Sequence, residues 1–222
     1  MTEVQVKQPV PQSSINDQFI ANAISLIRSG AQVMLVPSKD EKSLQKLFGD
    51  VAAAINREAQ ANGKPKSEAM EVVLWDCVYG FMKAGTAEVI NVPNATNLKS
   101  ALAALISNDG KLFPVKNAIV VMMDTQNHLN GVLNSSERRI LAMGARNNMF
   151  VRVQQVGKTI VNVRRPIFMV QPDNRIHADI SDCVTLLRYD LPGSTELAGV
   201  LDEVSKTVDP SIVSLSDQDR YD

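Results

Sequence analysis

Short apolar runs that alternate with longer amphipathic stretches constrain the fold of this 222-residue chain more than any other feature. The runs fall at residues 31–36, 72–75, 118–123, 159–163 and 183–189. Most of them have no polar face, which is typical of strands that helices cover on both sides. The alternation therefore predicts an α/β fold with three αβα layers around a five-stranded parallel sheet.

Amphipathic helices are predicted between these runs, because apolar residues recur there every three or four positions. Residues that favour helix ends, such as Asn, Asp and Ser before the first turn and Gly after the last, set the bounds. The predicted helices lie at residues 16–30 (begun by Asn16 or Asp17 and ended by Gly30), 41–61, 96–106, 135–157 (begun by Ser135 or Ser136 and running through Val153) and 195–208.

The domain organisation is predicted to be a flexible tail at residues 1–15, one α/β domain at 16–209 and the start of a further helix at 210–222. The tail is rich in Gln, Pro and Ser and shows no period. Ser216 suits a helix N-cap, but the segment after it is too short for a stable isolated helix. We therefore expect the chain to be the N-terminal module of a longer protein.

The charge balance gives no sign of a nucleic-acid or membrane surface, since 23 Lys and Arg face 24 Asp and Glu. No apolar stretch is long enough to cross a membrane, and no secretory leader is recognisable, so a cytoplasmic location is expected. Cys77 and Cys183 are expected to be buried reduced thiols. His128 and His177 have no metal-ligand spacing around them, so no metal site is expected.

The turn after the first strand, PSKDEKS, decides against a phosphate-binding loop. Such a loop needs GxxxxGK[ST], because backbone amides must wrap the phosphates and glycines allow the positive φ angles of the wrap. Ser38, Lys39, Asp40 and Glu41 occupy this place and include no glycine. They are predicted to be vestiges of a nucleotide site that no longer holds nucleotide, so no cofactor is expected in this domain.

The third strand, AIVVMMD, ends in Asp124, as does the Walker B strand that orients magnesium in nucleotide hydrolases. A buried strand can also end in an Asp that caps the next turn. Thr125 stands where a carboxylate that polarises water is usual. No catalytic residue is therefore assigned, and hydrolysis by this domain alone is not expected.

Two alternative functions remain open. An independent hydrolase or transferase could use Asp124, His128 and Arg138 in a closed polar pocket at the strand ends. An accessory domain could bind nucleic acid through an arginine cluster around the fourth strand, or the cluster could contact another subunit. The cluster comprises Arg138, Arg139, Arg146, Arg152, Arg164 and Arg165, and its predicted interaction residues are Arg138, Arg139, Arg164 and Arg165.

The order of motifs resembles the degenerate N-terminal domain of AAA+ ATPases of the chloroplast and cyanobacterial open-reading-frame type, which also occur in bacteria and phages. The resemblance covers residues 18–208. The matching residues are Ser38, Asp40 and Glu41, then Trp75, Asp76 and Gly80, then Asp124 and Leu129, then Arg138 and Arg139, and finally GKTIVNV at 157–163. Residues 64–71 and 170–182 look longer than the family pattern, and Arg164 and Arg165 replace an expected small polar residue.

The resemblance implies a P-loop-NTPase-like sheet in the order 5-1-4-3-2, without a Walker A loop. It implies a non-catalytic domain that assembles, regulates or recruits for an ATPase located further along the full-length protein. ATP and magnesium would belong to that second domain. The implied partner is another protein or further copies of the chain in an ATPase ring, with nucleic acid as a weaker alternative.

Overall fold

The computed structural model describes residues 15–107, 112–131, 135–156 and 159–189. The chain divides into one unit of Asn16–Arg188 and a second unit formed by Met1–Ile15 and Tyr189–Asp222. Of the second unit only Ile15 and Tyr189 are described. The predicted tail and the predicted helices at 195–208 and 210–222 thus lie outside the described residues and stay predictions.

A six-stranded sheet forms the centre of the larger unit, and a separate two-stranded ribbon accompanies it. The sheet is parallel except for one edge strand, β3, which runs antiparallel to β2. Its order is β3-β2-β4-β7-β1-β8. The strands are β1 Val33–Pro37, β2 Glu71–Asp76, β3 Gly80–Lys83, β4 Ala118–Met122, β5 Val151–Val156, β6 Thr159–Arg164, β7 Ile167–Gln171 and β8 Thr185–Leu186, with β5 and β6 forming the ribbon.

The predicted strand order 5-1-4-3-2 is confirmed for the parallel strands β8-β1-β7-β4-β2, with three corrections to the members of the sheet. The fourth parallel strand is β7, whereas the predicted strand at 159–163 is β6, which pairs with β5 in the ribbon. The sixth strand is β3, which lies in the stretch predicted as a glycine-containing connection. The fifth predicted strand, at 183–189, shrinks to the two residues of β8.

Within the described residues, five α-helices accompany the strands, and helices cover both faces of the sheet. One face packs on α1 and α2, where the rings of Phe19 and Phe48 lie 5.8 Å apart and those of Phe48 and Phe168 lie 4.7 Å apart. The other face packs on α3 and α5 in a single hydrophobic core that includes Leu102 and Leu141. The helices are α1 Ile15–Ser29, α2 Glu41–Ala61, α3 Leu98–Ile106, α4 Gln126–Leu129 and α5 Ser135–Arg146.

The predicted helix at 135–157 is wrong beyond Arg146, where α5 ends. Asn148 adopts a φ of 51°, a left-handed conformation that Asn tolerates and a helix does not continue. The buried Gln32 then captures the next amides, since its Oε1 accepts hydrogen bonds from Phe150 N at 3.1 Å and Val151 N at 2.9 Å. Val153 consequently belongs to β5.

The turn between β2 and β3 follows directly from two residues of the W-D-x-x-x-G stretch. Asp76 Oδ1 accepts hydrogen bonds from Val78 N at 2.8 Å and Tyr79 N at 2.6 Å, as in an Asx turn. Gly80 has a φ of 72°, and a Cβ added there would lie 2.9 Å from Ala95 Cβ. The buried Trp75 holds the loop around Ala95 in place, because its Nε1 donates to Ala95 O at 2.6 Å.

No described helix combines the length and the apolar character that crossing a bilayer requires.

Candidate functional site

The ends of three adjacent strands, β1, β7 and β4, place the predicted nucleotide-site residues at one edge of the sheet. Pro37 pairs with Gln171 and Met122 pairs with Met169, so Ser38, Gln171 and Asp124 lie at nearly the same level. Parallel strands have their carboxyl ends on the same side, where α/β sheets bind ligands. The fold therefore brings the turn at 38–41 and Asp124 to a common edge, with β7 between them.

The turn that precedes α2 is held by a chain of hydrogen bonds. Ser38 N donates to Gln171 O at 2.8 Å, Asp40 N donates to Ser38 Oγ at 3.0 Å, and Ser43 N donates to Asp40 Oδ1 at 3.1 Å. Asp40 is thus the N-cap of α2. The hydrogen bonds with Ser43 lower the pKa of the Asp40 carboxyl, with a smaller contribution from Lys42, and the carboxylate stays charged at neutral pH.

Lys39 is exposed beside this cap, and Glu41 is the first residue of α2. The lysine lies one residue before a fixed carboxylate, so the local charge of the turn is not that of a cationic phosphate cradle. The stretch from Pro37 to Ser43 carries two lysines and two carboxylate residues, so its formal charge is zero.

Asp124 follows β4 in an unusual backbone conformation, with a φ of 52°. Its exposed carboxylate accepts a hydrogen bond from Gln126 Nε2 at 3.3 Å. The next side chain, Thr125, is fully buried, and its Oγ1 has no hydrogen-bond partner among the described residues. Strained backbone and unpaired buried polar atoms concentrate at functional places in folds, so this strand end is a candidate site.

Gln171 ends β7 and lies between the ends of β1 and β4 at the same edge. It is not among the predicted site residues. Its side chain is buried, and its Nε2 donates to Asp173 O at 3.1 Å and Arg175 O at 2.7 Å. Asn130 Nδ2 also donates to Arg175 O, at 3.3 Å. The segment after β7 is therefore fastened over the strand end; a polar residue that ends the apolar run IFMV was the available signal.

The residues of the hydrolase alternative each have their own contacts, and a shared catalytic role for them stays a prediction. His128 lies in α4, and its ring meets the edge of Trp75 at a centroid distance of 6.0 Å. Arg138 donates from its Nη1 to the carbonyls of Leu129 and Gly131, at the end of α4. Among the described residues, three or more His, Cys, Asp or Glu side chains nowhere form a group that could hold a metal ion.

Two arginines of the predicted cluster are structural clamps at the C-terminal end of α3. Arg165 is buried, and its Nε, Nη1 and Nη2 donate to Val115 O, Leu105 O and Phe113 O at 2.8, 3.0 and 3.1 Å. Burial, and the nearby charge of Arg152, lower the pKa of Arg165 to about 10, so the guanidinium is still charged at neutral pH. Arg152 donates to the carbonyls of Ile106, Ser107 and Met149.

Two further arginines tie α5 to the segment that follows β7. Arg138 is buried, its Nε donates to Asp179 Oδ2 at 3.0 Å, and its Nη1 donates to the carbonyls of Leu129 and Gly131. Arg146 forms a forked pair with Asp182, with Nη2 2.8 Å from Oδ1 and Nε 3.1 Å from Oδ2. The partner carboxylates come from a segment more than thirty residues away in the sequence, which spacing does not reveal.

The predicted interaction residues therefore divide into two kinds. Arg138 and Arg165 are buried and donate hydrogen bonds to backbone carbonyls. These hydrogen bonds offset part of the cost of burying a charged group. Arg139 and Arg164 are exposed. Contact with a partner stays a prediction, and it rests on the two exposed residues.

Comparisons with known proteins identify no family. No protein-family model and no curated protein matches the sequence. A solved structure of the ORC2 protein of Aeropyrum pernix, in ADPNP and ADP complexes, matches with a TM-score of 0.43 and 12% identity. The match covers 90% of this chain and 54% of that one, so this chain spans about half the length of that protein. A match at this level carries no argument about function.

Proposed function

We propose that this chain is an AAA+-related domain that does not bind nucleotide at its strand-end turn and serves a partner ATPase through protein contacts. Assembly, regulation and recruitment are the roles such a domain can take. The observation that carries the proposal is the Asp40 carboxylate at the N-terminus of α2, where a nucleotide-binding relative would hold phosphate.

Electrostatics and hydrogen bonding both oppose a phosphate at this turn. The amides of Ser38, Asp40 and Ser43 already donate to Gln171 O, Ser38 Oγ and Asp40 Oδ1. A polyphosphate would have to displace these acceptors and approach a carboxylate whose lowered pKa keeps it ionised. Like charges at such short range repel each other, although water screens the repulsion at an exposed turn.

ATP and magnesium therefore do not fit this turn. The turn PSKDEKS offers two exposed lysines, Lys39 and Lys42, but not the glycines that would aim several amides at a phosphate. Asp124 could orient a metal only if a phosphate were held opposite it, across β7. We place the nucleotide and the hydrolytic activity in a companion domain of the full-length protein.

Isothermal titration of the full chain with MgATP tests the proposal. We expect no binding heat at ligand concentrations up to about 100 μM, well above the Kd of a functional nucleotide site. Asp40→Ala removes the resident carboxylate, and Asp50→Ala, an exposed position of the same helix, is the matched control. Stoichiometric binding by the wild-type chain that Lys39→Ala or Asp124→Ala abolishes would overturn the proposal.

A further inference from the structure

One face of α5 forms the wall of a groove of about 320 Å³. The α5 residues that line the groove recur every three or four positions. Asp179, in the short 3₁₀ turn Ala178–Ile180, lines the opposite side. A groove of this size lies at the lower end of the range for ligand sites and has room for one or two side chains. Its lining includes Arg138, Arg139, Ala142, Met143, Arg146 and Asp179.

The floor of the groove is apolar although α5 is rich in arginine. Ala142 is buried, whereas Met143 leaves 42% of its surface exposed. A methionine at this exposure adapts its shape to an incoming apolar side chain. The groove therefore offers apolar contact directly beside charged groups.

The arginines around the floor differ in whether they already form hydrogen bonds and ion pairs. Arg138 and Arg146 are held in place by Asp179 and Asp182. Arg139 has no hydrogen bond or ion pair to any described residue and is exposed. Three guanidinium groups against two carboxylates leave one net positive charge, and it belongs to a side chain free to form a new forked pair.

From this geometry we infer that the α5 groove binds a segment of a partner protein in which a carboxylate lies next to a large apolar residue. The carboxylate pairs with Arg139, and the apolar side chain packs on Met143. Arg138 and Arg146 are already held by hydrogen bonds, so the walls of the groove are ordered before binding. Little conformational entropy is therefore lost on association. This inference deepens the proposed function and rests on it, because it names the surface and the chemistry of the protein contact.

Charge and shape favour such a segment over nucleic acid. A phosphate backbone is bound by several free cations along an extended surface. Here two of the three arginines are already neutralised by Asp179 and Asp182, and the groove is concave with an apolar floor. A single free guanidinium beside apolar surface matches one carboxylate and its apolar neighbour.

Selection from a phage-displayed library of random peptides, about twelve residues long, tests the inference on the immobilised full chain. We expect the enriched peptides to share an Asp or Glu adjacent to Leu, Met, Phe or Trp. The most enriched peptide is then synthesised with a fluorescein label and measured by anisotropy. Arg139→Glu is expected to weaken its binding at least about tenfold, and Met143→Ser several-fold.

Two controls make the result specific. Arg57→Glu makes the same charge change at an exposed position of α2 and should leave affinity within about twofold. A peptide with its carboxylate changed to the amide should also bind more weakly, but by a smaller factor than Arg139→Glu causes, because charge reversal adds repulsion to the lost ion pair. Circular dichroism should be the same for all three variants.

Several outcomes would overturn the inference. They are enrichment of peptides without carboxylates, no enrichment at all, or an equal effect of Arg139→Glu and Arg57→Glu. Tighter binding of a fluorescein-labelled DNA duplex than of the peptide, lost in Arg139→Glu, would assign the surface to nucleic acid instead. Failure here leaves the MgATP titration unaffected, so the groove and the proposed function are tested separately.

Discussion

Arg165 donates from its Nη1 to Leu105 O at 3.0 Å and thereby joins the start of β7 to the last turn of α3. Its Nε and Nη2 hold Val115 O and Phe113 O, and its guanidinium lies 4.8 Å from the centre of the Phe113 ring. One buried side chain thus organises the end of a helix and the segment that leads into β4.

Replacing this arginine should destabilise the chain severely. Arg165→Met leaves three carbonyl groups without their donor, and we expect unfolding free energy to fall by about 3 kcal/mol. Arg164→Met, at the exposed neighbouring position, should change it by less than about 0.5 kcal/mol. Urea denaturation followed by circular dichroism measures both. A loss below about 1 kcal/mol for Arg165→Met would contradict the clamp.

Two glycine-to-alanine substitutions in helices should have opposite signs. An alanine Cβ at position 144 would lie 2.6 Å from the Phe150 ring and 2.9 Å from Ile106 Cγ2, between α5 and α3. We expect Gly144→Ala to destabilise the chain by about 1–3 kcal/mol.

Gly49→Ala on the exposed face of α2 meets nothing within 4 Å and should stabilise the chain by up to about 1 kcal/mol, since alanine favours helices. Thermal unfolding of the two variants beside the wild type makes the comparison. Equal effects at both positions would contradict the close packing of α5 on α3.

The Asp40 cap should make stability depend on pH in a predictable direction. Its pKa in the folded chain is below the ordinary value of 3.8, so the carboxylate stabilises α2 above that value. Its contribution disappears as the pH falls through the lowered pKa. At pH 7, Asp40→Ala should lower Tm by about 2–5 °C, and the difference from wild type should shrink toward pH 2. At pH 7 the control Asp50→Ala, at an exposed position of α2 that caps no helix end, should lower Tm by less than Asp40→Ala does.

The two thiols should react at different rates. Cys77 is exposed in the β2–β3 turn, which corrects the expectation that both thiols are buried. Cys183 is half-buried, and its Sγ donates to Ile180 O at 3.2 Å; burial, and the neighbouring Asp182 charge, raise its pKa. An aromatic disulfide reagent at pH 8 should modify Cys77 at least about tenfold faster, and Cys77→Ser should remove the fast phase. A fast phase that survives this substitution would show that Cys183 is accessible.

The sequence predicted the elements whose signals are local. Helix α2 matches its predicted bounds, because its apolar face is regular and Asp40 and Asn62 mark its ends. The buried strands β1, β2 and β4 were recognisable as apolar runs. The strand order followed from the resemblance rather than from any spacing.

Two of the errors share a physical cause, namely interactions between residues far apart in the chain. Helical spacing of Met149, Phe150 and Val153 favoured a longer α5, but the side chain of Gln32, 118 positions from Phe150, captures the amides that would continue it. The arginine cluster looked like a surface for the same reason. The carbonyls that receive Arg165 lie fifty or more residues away, so its burial has no local signature.

The margins of the central sheet limit how copies of this chain can meet. At one margin β8 contributes only Thr185 and Leu186, and at the other the four residues of β3 are already bridged by Val89 to Met82. An incoming strand would find few backbone amides to pair with at either place. Among the described strands, self-association by lengthening the central sheet, the route toward insoluble polymers, is thereby disfavoured.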